Sequence, residues 1–196
     1  MQHDNRLGII LIIIGMSFFA VQDILIKSMA PEASLMQILF FRGLIGTLLL
    51  TIFFYFTGRK INFSSSFPFI AILRGFLFFL GFTAYYISLT LIPLAEATSL
   101  FFISPFFMTI FSKFILKNDV GRYRIFALFV GFIGILLIIK PNFSEFNWAM
   151  ILPIFCAATY SLSMILAKLT SNSDSSFQQT THIYVSNFFF AAIFSL

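Results

Sequence analysis

Seven long apolar runs, separated by short polar connections, constrain what this chain can fold into. Each run is about 17 to 25 residues long, the length that an α-helix needs to cross the hydrocarbon core of a bilayer. The connections carry proline, glycine, asparagine and serine, which favour turns. We therefore predict an all-α transmembrane bundle with spans at about residues 7–27, 35–56, 69–92, 94–116, 123–139, 148–168 and 177–196.

Composition excludes a water-soluble domain. Hydrophobic residues make up 60% of the 196 residues and charged residues only 10%, against about 25% charged residues in ordinary globular proteins. The net charge of +5 does not indicate nucleic-acid binding, because most Lys and Arg residues lie at the ends of apolar runs. The single cysteine, Cys156, lies inside an apolar run and cannot build a disulfide framework or a thiolate metal site. We expect the lipid bilayer as the surroundings, and no nucleic acid, metal or cofactor.

The positive charges predict the orientation in the membrane. If the amino terminus is cytoplasmic, the outer ends of the runs carry only Lys27 and Lys140, and such an excess of basic residues on one side is the positive-inside pattern. We expect a multi-pass protein of the inner (plasma) membrane, and interpret Arg74 and Lys113 as anchors whose charged ends reach the interface. The basic residues on the cytoplasmic side would be Arg6, Arg59, Lys60, Arg74, Lys113, Lys117, Arg122, Arg124 and Lys168.

A weak internal repeat divides the chain. A shift of about 141 positions lays Lys168 over Lys27 and Gln178 over Gln37, with aliphatic matches around them; in a chain this rich in Leu and Ile, coincidence is the alternative. The repeating unit would hold five spans, an odd number, so the second copy would be inverted, as in transporters with a binding site near the midplane. We expect a first repeat over 1–141 and an incomplete second over 142–196, with a natural seven-span protein as the alternative.

Three motifs resemble the EamA family of the drug/metabolite transporter superfamily. They are PLAEATSL at 93–100 leading to Ser104 and Pro105, the short basic loop after the fourth run, and VGFIGILLIIKP at 130–141. The resemblance covers essentially the whole chain, and FFRG at 40–43 with LRG at 73–75 is similar to the branch that includes S-adenosylmethionine and other metabolite carriers. It implies a secondary transporter that moves a small organic metabolite across the inner membrane by alternating access between two inverted repeats.

Energy coupling and oligomeric state stay open at this point. The sequence contains no nucleotide-binding motif, so a proton or a counter-substrate would couple to the metabolite. It also contains no HExxH or GxSxG motif, and we expect no catalytic residue and no enzyme. The alternative is a non-transporting integral membrane scaffold or assembly subunit, in which the intramembrane charges only fix helix packing.

Two charged residues lie well inside apolar runs, Asp23 in the first and Arg42 in the second. They lie about six and eight residues deep from the same side, which at about 1.5 Å per residue is a similar depth. A lone charge near the bilayer centre costs at least about 2.5 to 3.5 kcal/mol, so the two are expected to face each other or shared water. Three interpretations stay open: a static ion pair, a site where Arg42 binds an anion or Asp23 exchanges a proton, and snorkelling to the outer interface.

Further polar side chains of the outer half complete the candidate site. Gln22, Gln37 and Tyr86 are candidates to contact a substrate or coupling ion. Tyr85 and Tyr86 are neighbours on one helix and point in different directions, so at most one is expected to face a pocket.

The run at 93–117 is more polar than a simple anchor, and we expect it to line a cavity. Glu96 is a candidate for the site, but its position near the start of the helix also suits wetting at the outer surface. Ser99 is a candidate for ligand contact or for close helix packing. Pro105 is stronger evidence, because it frees a carbonyl about four residues earlier and kinks the helix near mid-membrane, which suits a cavity lining or a hinge.

Overall fold

The computed structural model describes residues 5–29, 34–58, 65–139 and 147–195, and within these ranges it contains helices and no strand. The predicted turns at 30–33, 59–64 and 140–146 lie outside the described residues. The prediction of an all-α bundle is confirmed, and the helices agree with the predicted runs to within a few residues. They are α1 (Asn5–Met29), α2 (Leu35–Thr57), α3 (Pro68–Leu91), α4 (Leu94–Phe101), α5 (Ser104–Ile115), α6 (Arg122–Ile139), α7 (Ile151–Leu169) and α8 (Ser176–Ser195).

Length and hydropathy make this a multi-pass membrane protein. Among the described residues, five segments are long and apolar enough to cross a bilayer: Gly8–Met29, Leu35–Thr57, Pro68–Leu91, Leu94–Ile115 and Trp148–Leu169. A shorter apolar stretch, Ile125–Gly134, lies within α6. The most polar of the long helices is α8, which carries glutamine, threonine, histidine and asparagine side chains.

The fourth apolar run is broken where Pro105 predicts a kink. Helix α4 ends at Phe101 and α5 begins at Ser104, because the proline nitrogen has no hydrogen to donate to a carbonyl in the preceding turn. The Ser161 hydroxyl of α7 donates a hydrogen bond to the Ser104 carbonyl at 2.9 Å. The break is therefore fixed against α7.

Helix α3 lies at the centre of the bundle and packs against α7 and α8. Its side chains Phe79, Tyr86 and Leu89 are buried, whereas α1 leaves the whole aliphatic stretch 9–14 exposed. Small residues let α3 and α7 approach closely, as is usual between membrane helices: a Cβ atom added at Gly81 would lie 2.2 Å from Oγ1 of Thr159.

Contacts between connections show which helix ends lie together. The Lys27 ammonium donates to the Ile92 carbonyl at 3.0 Å, which joins the end of α1 to the end of α3. At the opposite end, Asp174 in the α7–α8 connection accepts a hydrogen bond from Ser65, just before α3. We call this second end the basic end, because α5 and α7 also finish there with Lys113 and Lys168 in their last turns.

The interpretation of Arg74 as an interfacial anchor is wrong. Arg74 is only 3% exposed, and its Nε donates to the Ser163 carbonyl of α7 at 3.1 Å. Since α3 is enclosed by α7 and α8, protein rather than lipid surrounds the guanidinium. Lys113, by contrast, is exposed on α5.

The close approach of α3 and α7 gives a test of this packing. Replacing Gly81 with leucine places side-chain atoms where Thr159 now lies, and overpacking of this kind costs about 1 to 3 kcal/mol. We expect Gly81→Leu to lower the midpoint of thermal unfolding in detergent by several degrees. Gly134→Leu on α6 is the matched control, because an added Cβ there meets no atom within 4 Å. Equal midpoints for the two variants would contradict the packing described.

Candidate functional site

A hydrogen-bonded cluster at the centre of the bundle joins α1, α2 and α3. Arg42 of α2 donates from Nη1 to the Tyr86 hydroxyl, and Gln22 of α1 donates from Nε2 to the same oxygen at 2.7 Å. Tyr86 is fully buried. Because a phenol oxygen accepts at most two hydrogen bonds, Arg42 and Gln22 together use its acceptor capacity.

Aromatic rings also stabilise the Arg42 charge. The guanidinium carbon lies 5.2 Å from the ring centroid of Phe82 and 5.5 Å from that of Tyr86. Cation–π contacts at such distances favour a desolvated cation. The groups that contact Arg42 directly in this cluster are thus a neutral phenol and two aromatic rings.

Asp23 is held by a different tyrosine. Its carboxylate accepts a hydrogen bond from the Tyr85 hydroxyl at 3.1 Å, although it stays close enough to Arg42 for electrostatic attraction. Each of the two charged groups is bonded to a phenol of α3. Consecutive residues of a helix point about 100° apart, so Tyr85 reaches Asp23 of α1, while Tyr86 reaches Arg42 of α2 and Gln22 of α1. Both tyrosines thus belong to the cluster, in separate roles.

A cavity of about 160 Å³ lies beside Arg42, between α1, α2, α3 and α8. A water molecule occupies about 30 Å³ in the liquid, so this space holds about five waters or the head group of an organic molecule. Its walls are apolar except for Arg42 on one side and polar side chains of α8 on the other. The lining residues are Phe19, Leu39, Arg42, Gly43, Phe78, Thr180, Ile183, Tyr184 and Asn187.

The polar wall on α8 was not among the residues predicted for the site. Thr180, Tyr184 and Asn187 lie four and three residues apart, a spacing that places them on one helix face. This helical spacing is the sequence signal that could have identified the polar wall, although none of the three side chains is charged. The Thr180 hydroxyl donates to the Ser176 carbonyl at 2.9 Å, so only its acceptor capacity remains for a ligand.

The other predicted site residues lie away from this cavity. Gln37 is exposed on α2, and Glu96 is partly exposed in the first turn of α4. The buried Ser99 donates its hydroxyl hydrogen to the Ala95 carbonyl of its own helix. The run at 93–117, which includes Pro105, contributes no lining residue to this cavity. Arg42 therefore lines the cavity. Asp23, Gln22 and Tyr86 belong to the hydrogen-bonded cluster beside it and are not among the lining residues.

Metal-binding geometry is not found in the part of the chain that the structure describes. No group of three or more His, Cys, Asp or Glu residues there is placed to hold a metal ion. Cys156 is a free, buried thiol that packs in the core.

The chain belongs to the EamA-like transporter family, whose model matches residues 6–140. A solved crystal structure has the same fold, with a TM-score of 0.65 at 14% identity, covering 87% of this chain and 63% of that chain. At this identity the likeness concerns the fold alone.

Curated relatives are named as transporters of different small molecules. The chain is 29% identical over 161 residues to an S-adenosylmethionine uptake transporter of Rickettsia prowazekii, which covers 82% of this chain and 54% of the relative. It is 29% identical over 189 residues to the pseudopaline exporter CntI of Pseudomonas aeruginosa, covering 96% and 64%. A riboflavin transporter of Vibrio cholerae is 34% identical over 84 residues, covering 43% and 28%. The chain thus spans about half to two thirds of the length of the first two relatives.

Removal of one phenol oxygen tests the cluster. In Tyr86→Phe, Arg42 and Gln22 lose their shared acceptor, and leaving buried donors unsatisfied costs about 1 to 3 kcal/mol, more for a charged one. We expect a clear fall in the midpoint of thermal unfolding in detergent. Tyr160→Phe is the control, because Tyr160 packs against Phe82 through its ring and its hydroxyl makes no hydrogen bond within the described residues. Midpoints that fall equally would show that the Tyr86 hydroxyl has no special role.

Proposed function

We propose that the protein is a secondary transporter that moves a small organic metabolite across the inner membrane by alternating access, and that Arg42 binds an anionic group of that metabolite. Membership of the EamA-like family supports transport. The role proposed for Arg42 rests on its position in the fold and on the groups that contact it. It lines a cavity in an apolar bundle, and a neutral phenol and two aromatic rings hold it there.

The contacts of Arg42 with neutral groups explain why an anion is the favoured ligand. A cation inside the bilayer is costly unless an opposite charge or a polar environment stabilises it. A carboxylate entering the cavity would meet a guanidinium that Tyr86 already holds in place, and the forked geometry of arginine suits two parallel hydrogen bonds. Asp23 attracts Arg42, but its carboxylate is bonded to Tyr85, which would leave the guanidinium free to bond an anion of the ligand; Asp23 is also the group available to exchange a proton.

The wider architecture follows from the sequence arguments. We propose two inverted five-span repeats, the first over residues 1–141 and the second beginning at 142, with the amino terminus in the cytoplasm. The basic end of the bundle would then face the cytoplasm, because Lys113 and Lys168 lie there. The cavity beside Arg42 would lie near the interface of the two repeats, since α8 of the second repeat forms one of its walls.

Uptake of two probes by cells that produce the protein encoded by the complete gene tests the role of Arg42. S-adenosylmethionine carries a carboxylate and riboflavin does not, so only uptake of the former should depend on Arg42. Loss of a charge-assisted hydrogen bond costs about 1.5 to 3 kcal/mol, or about 10- to 100-fold. We expect Arg42→Gln to reduce uptake of radiolabelled S-adenosylmethionine by this factor, with unchanged abundance in the membrane.

Lys113→Gln is the control for removing a positive charge, because Lys113 is exposed and far along the chain from the cavity residues. It should take up the probe as the unsubstituted protein does. If Arg42→Gln lowers membrane abundance together with uptake, the result would favour the alternative of a scaffold whose charges only fix helix packing. If uptake persists unchanged, Arg42 is not the anion-binding residue.

A further inference from the structure

Asn187 of α8 and Arg42 of α2 line the same cavity at close range. A Cβ atom added at Gly43 would lie 3.0 Å from the Cα atom of Phe188, so α2 and α8 almost touch at these two positions. Arg42 and Asn187 are the residues that precede them in the chain. Since consecutive Cα atoms are about 3.8 Å apart, the Cα atoms of Arg42 and Asn187 lie within about 12 Å of each other. One small molecule in the cavity can therefore contact both side chains.

Asn187 offers the cavity a hydrogen-bond acceptor. Its Nδ2 donates to the Ile183 carbonyl in the preceding turn at 3.0 Å. This bond fixes the orientation of the amide, because only the amide nitrogen can donate to a carbonyl. Oδ1 has no partner within the described residues and remains accessible from the cavity. Its two lone pairs can accept from a ligand, whereas Arg42 can only donate.

Aromatic rings in the cavity wall favour a positively charged group of the ligand. Tyr184 lies one turn from Asn187, and its ring packs directly on the α2 backbone, because a Cβ atom added at Gly46 would lie 2.4 Å from its Cδ1. Phe19 and Phe78 add two more rings to the wall. The face of an aromatic ring attracts a cation. The amide oxygen and the rings together suit a cationic hydrogen-bond donor.

The charges around the cavity favour a ligand with no net charge. With Asp23 ionised, the two opposite charges of Asp23 and Arg42, which attract each other, sum to zero. A monoanion bound at Arg42 would leave one net negative charge inside the bilayer, which is costly, unless Asp23 took up a proton. A ligand that carries an ammonium group beside its carboxylate leaves the sum at zero.

We propose that the ligand of this cavity is a zwitterion of the α-amino acid type, whose carboxylate binds Arg42 and whose ammonium binds Oδ1 of Asn187. In such a head group both charges are attached to one carbon atom, which suits a cavity of about 160 Å³. The side chain of the ligand would lie against apolar lining residues such as Leu39 and Ile183. Asn187 is then the residue that selects a zwitterion over a simple anion. This proposal rests on the proposed transport function.

Binding of matched compounds to the protein encoded by the complete gene tests the proposal without transport. The rise of the thermal unfolding midpoint in detergent with compound concentration gives a dissociation constant. At pH 7, L-leucine carries both charged groups, 4-methylpentanoate only the carboxylate and 3-methylbutylamine only the ammonium, on the same side chain. L-Phenylalanine, 3-phenylpropionate and 2-phenylethylamine repeat the comparison with a larger side chain. We expect at least one of the amino acids to bind about tenfold more tightly than either of its analogues, because each charge-assisted hydrogen bond contributes about this factor.

Asn187→Leu removes Oδ1 at nearly constant volume. It should weaken binding of the amino acid about tenfold, to the level of the monoanion, and leave binding of the monoanion unchanged. Thr181→Val is the matched control on the same helix. The Thr181 hydroxyl also donates to a carbonyl of its own helix, that of Phe177 at 2.9 Å, but Thr181 does not line the cavity. This control should bind both compounds as the unsubstituted protein does.

Equal binding of each amino acid and its monoanion analogue by the unsubstituted protein would overturn the zwitterion proposal. Absence of binding by either amino acid would overturn it too. Neither comparison needs a variant, so both remain decisive if Asn187→Leu does not fold. Amino acid binding that is unaffected in a folded Asn187→Leu protein would overturn the role of Asn187.

Failure of this proposal is distinguishable from failure of the proposed function. If the monoanions bind as tightly as the amino acids and Arg42→Gln abolishes both, the anion-binding role of Arg42 stands and the zwitterion proposal fails. If no compound binds, the zwitterion proposal fails, and uptake by the Arg42→Gln protein decides the proposed function separately.

Discussion

The hydrogen bond between Arg42 and Tyr86 is the interaction on which the centre of this protein depends. A bilayer provides no water for a guanidinium, so the protein must provide its solvation. Tyr86 does so from the most buried helix, and Gln22 shares the same oxygen. Three helices are thereby held at fixed rotations about their axes. Arg42 also lines the cavity, together with the polar side chains of α8.

Local chemistry made much of this fold predictable from sequence. Hydrophobic runs of membrane length located the helices, since the requirement acts on each segment by itself. The break at Pro105 followed from the missing backbone hydrogen of one residue. Asp23 and Arg42 were conspicuous because charges are rare inside apolar runs. In each case the physical cause lies within a few residues of its effect.

Contacts between helices were harder to predict from the sequence. Arg74 was misread as an anchor because its distance from the helix end says nothing about whether lipid or protein surrounds it. Which groups the Tyr85 and Tyr86 hydroxyls bond depends on the rotation of α3 relative to its neighbours. The α8 wall consists of uncharged side chains, whose burial carries a weak signal. Asp174 belonged to a polar connection, and its partners lie 108 and 109 positions away.

The hydrogen bond that Asp174 accepts from the Ser66 NH, just before α3, has a consequence for biosynthesis. When α3 enters the membrane, the acceptor of the Ser66 NH has not yet been made, because Asp174 follows Ser66 by 108 positions. At about 5 to 20 residues per second, the delay is roughly 5 to 20 s. During that time the Ser66 NH must rely on water or headgroups. The first half of the chain therefore reaches its final form only after α7 and its following connection have been translated.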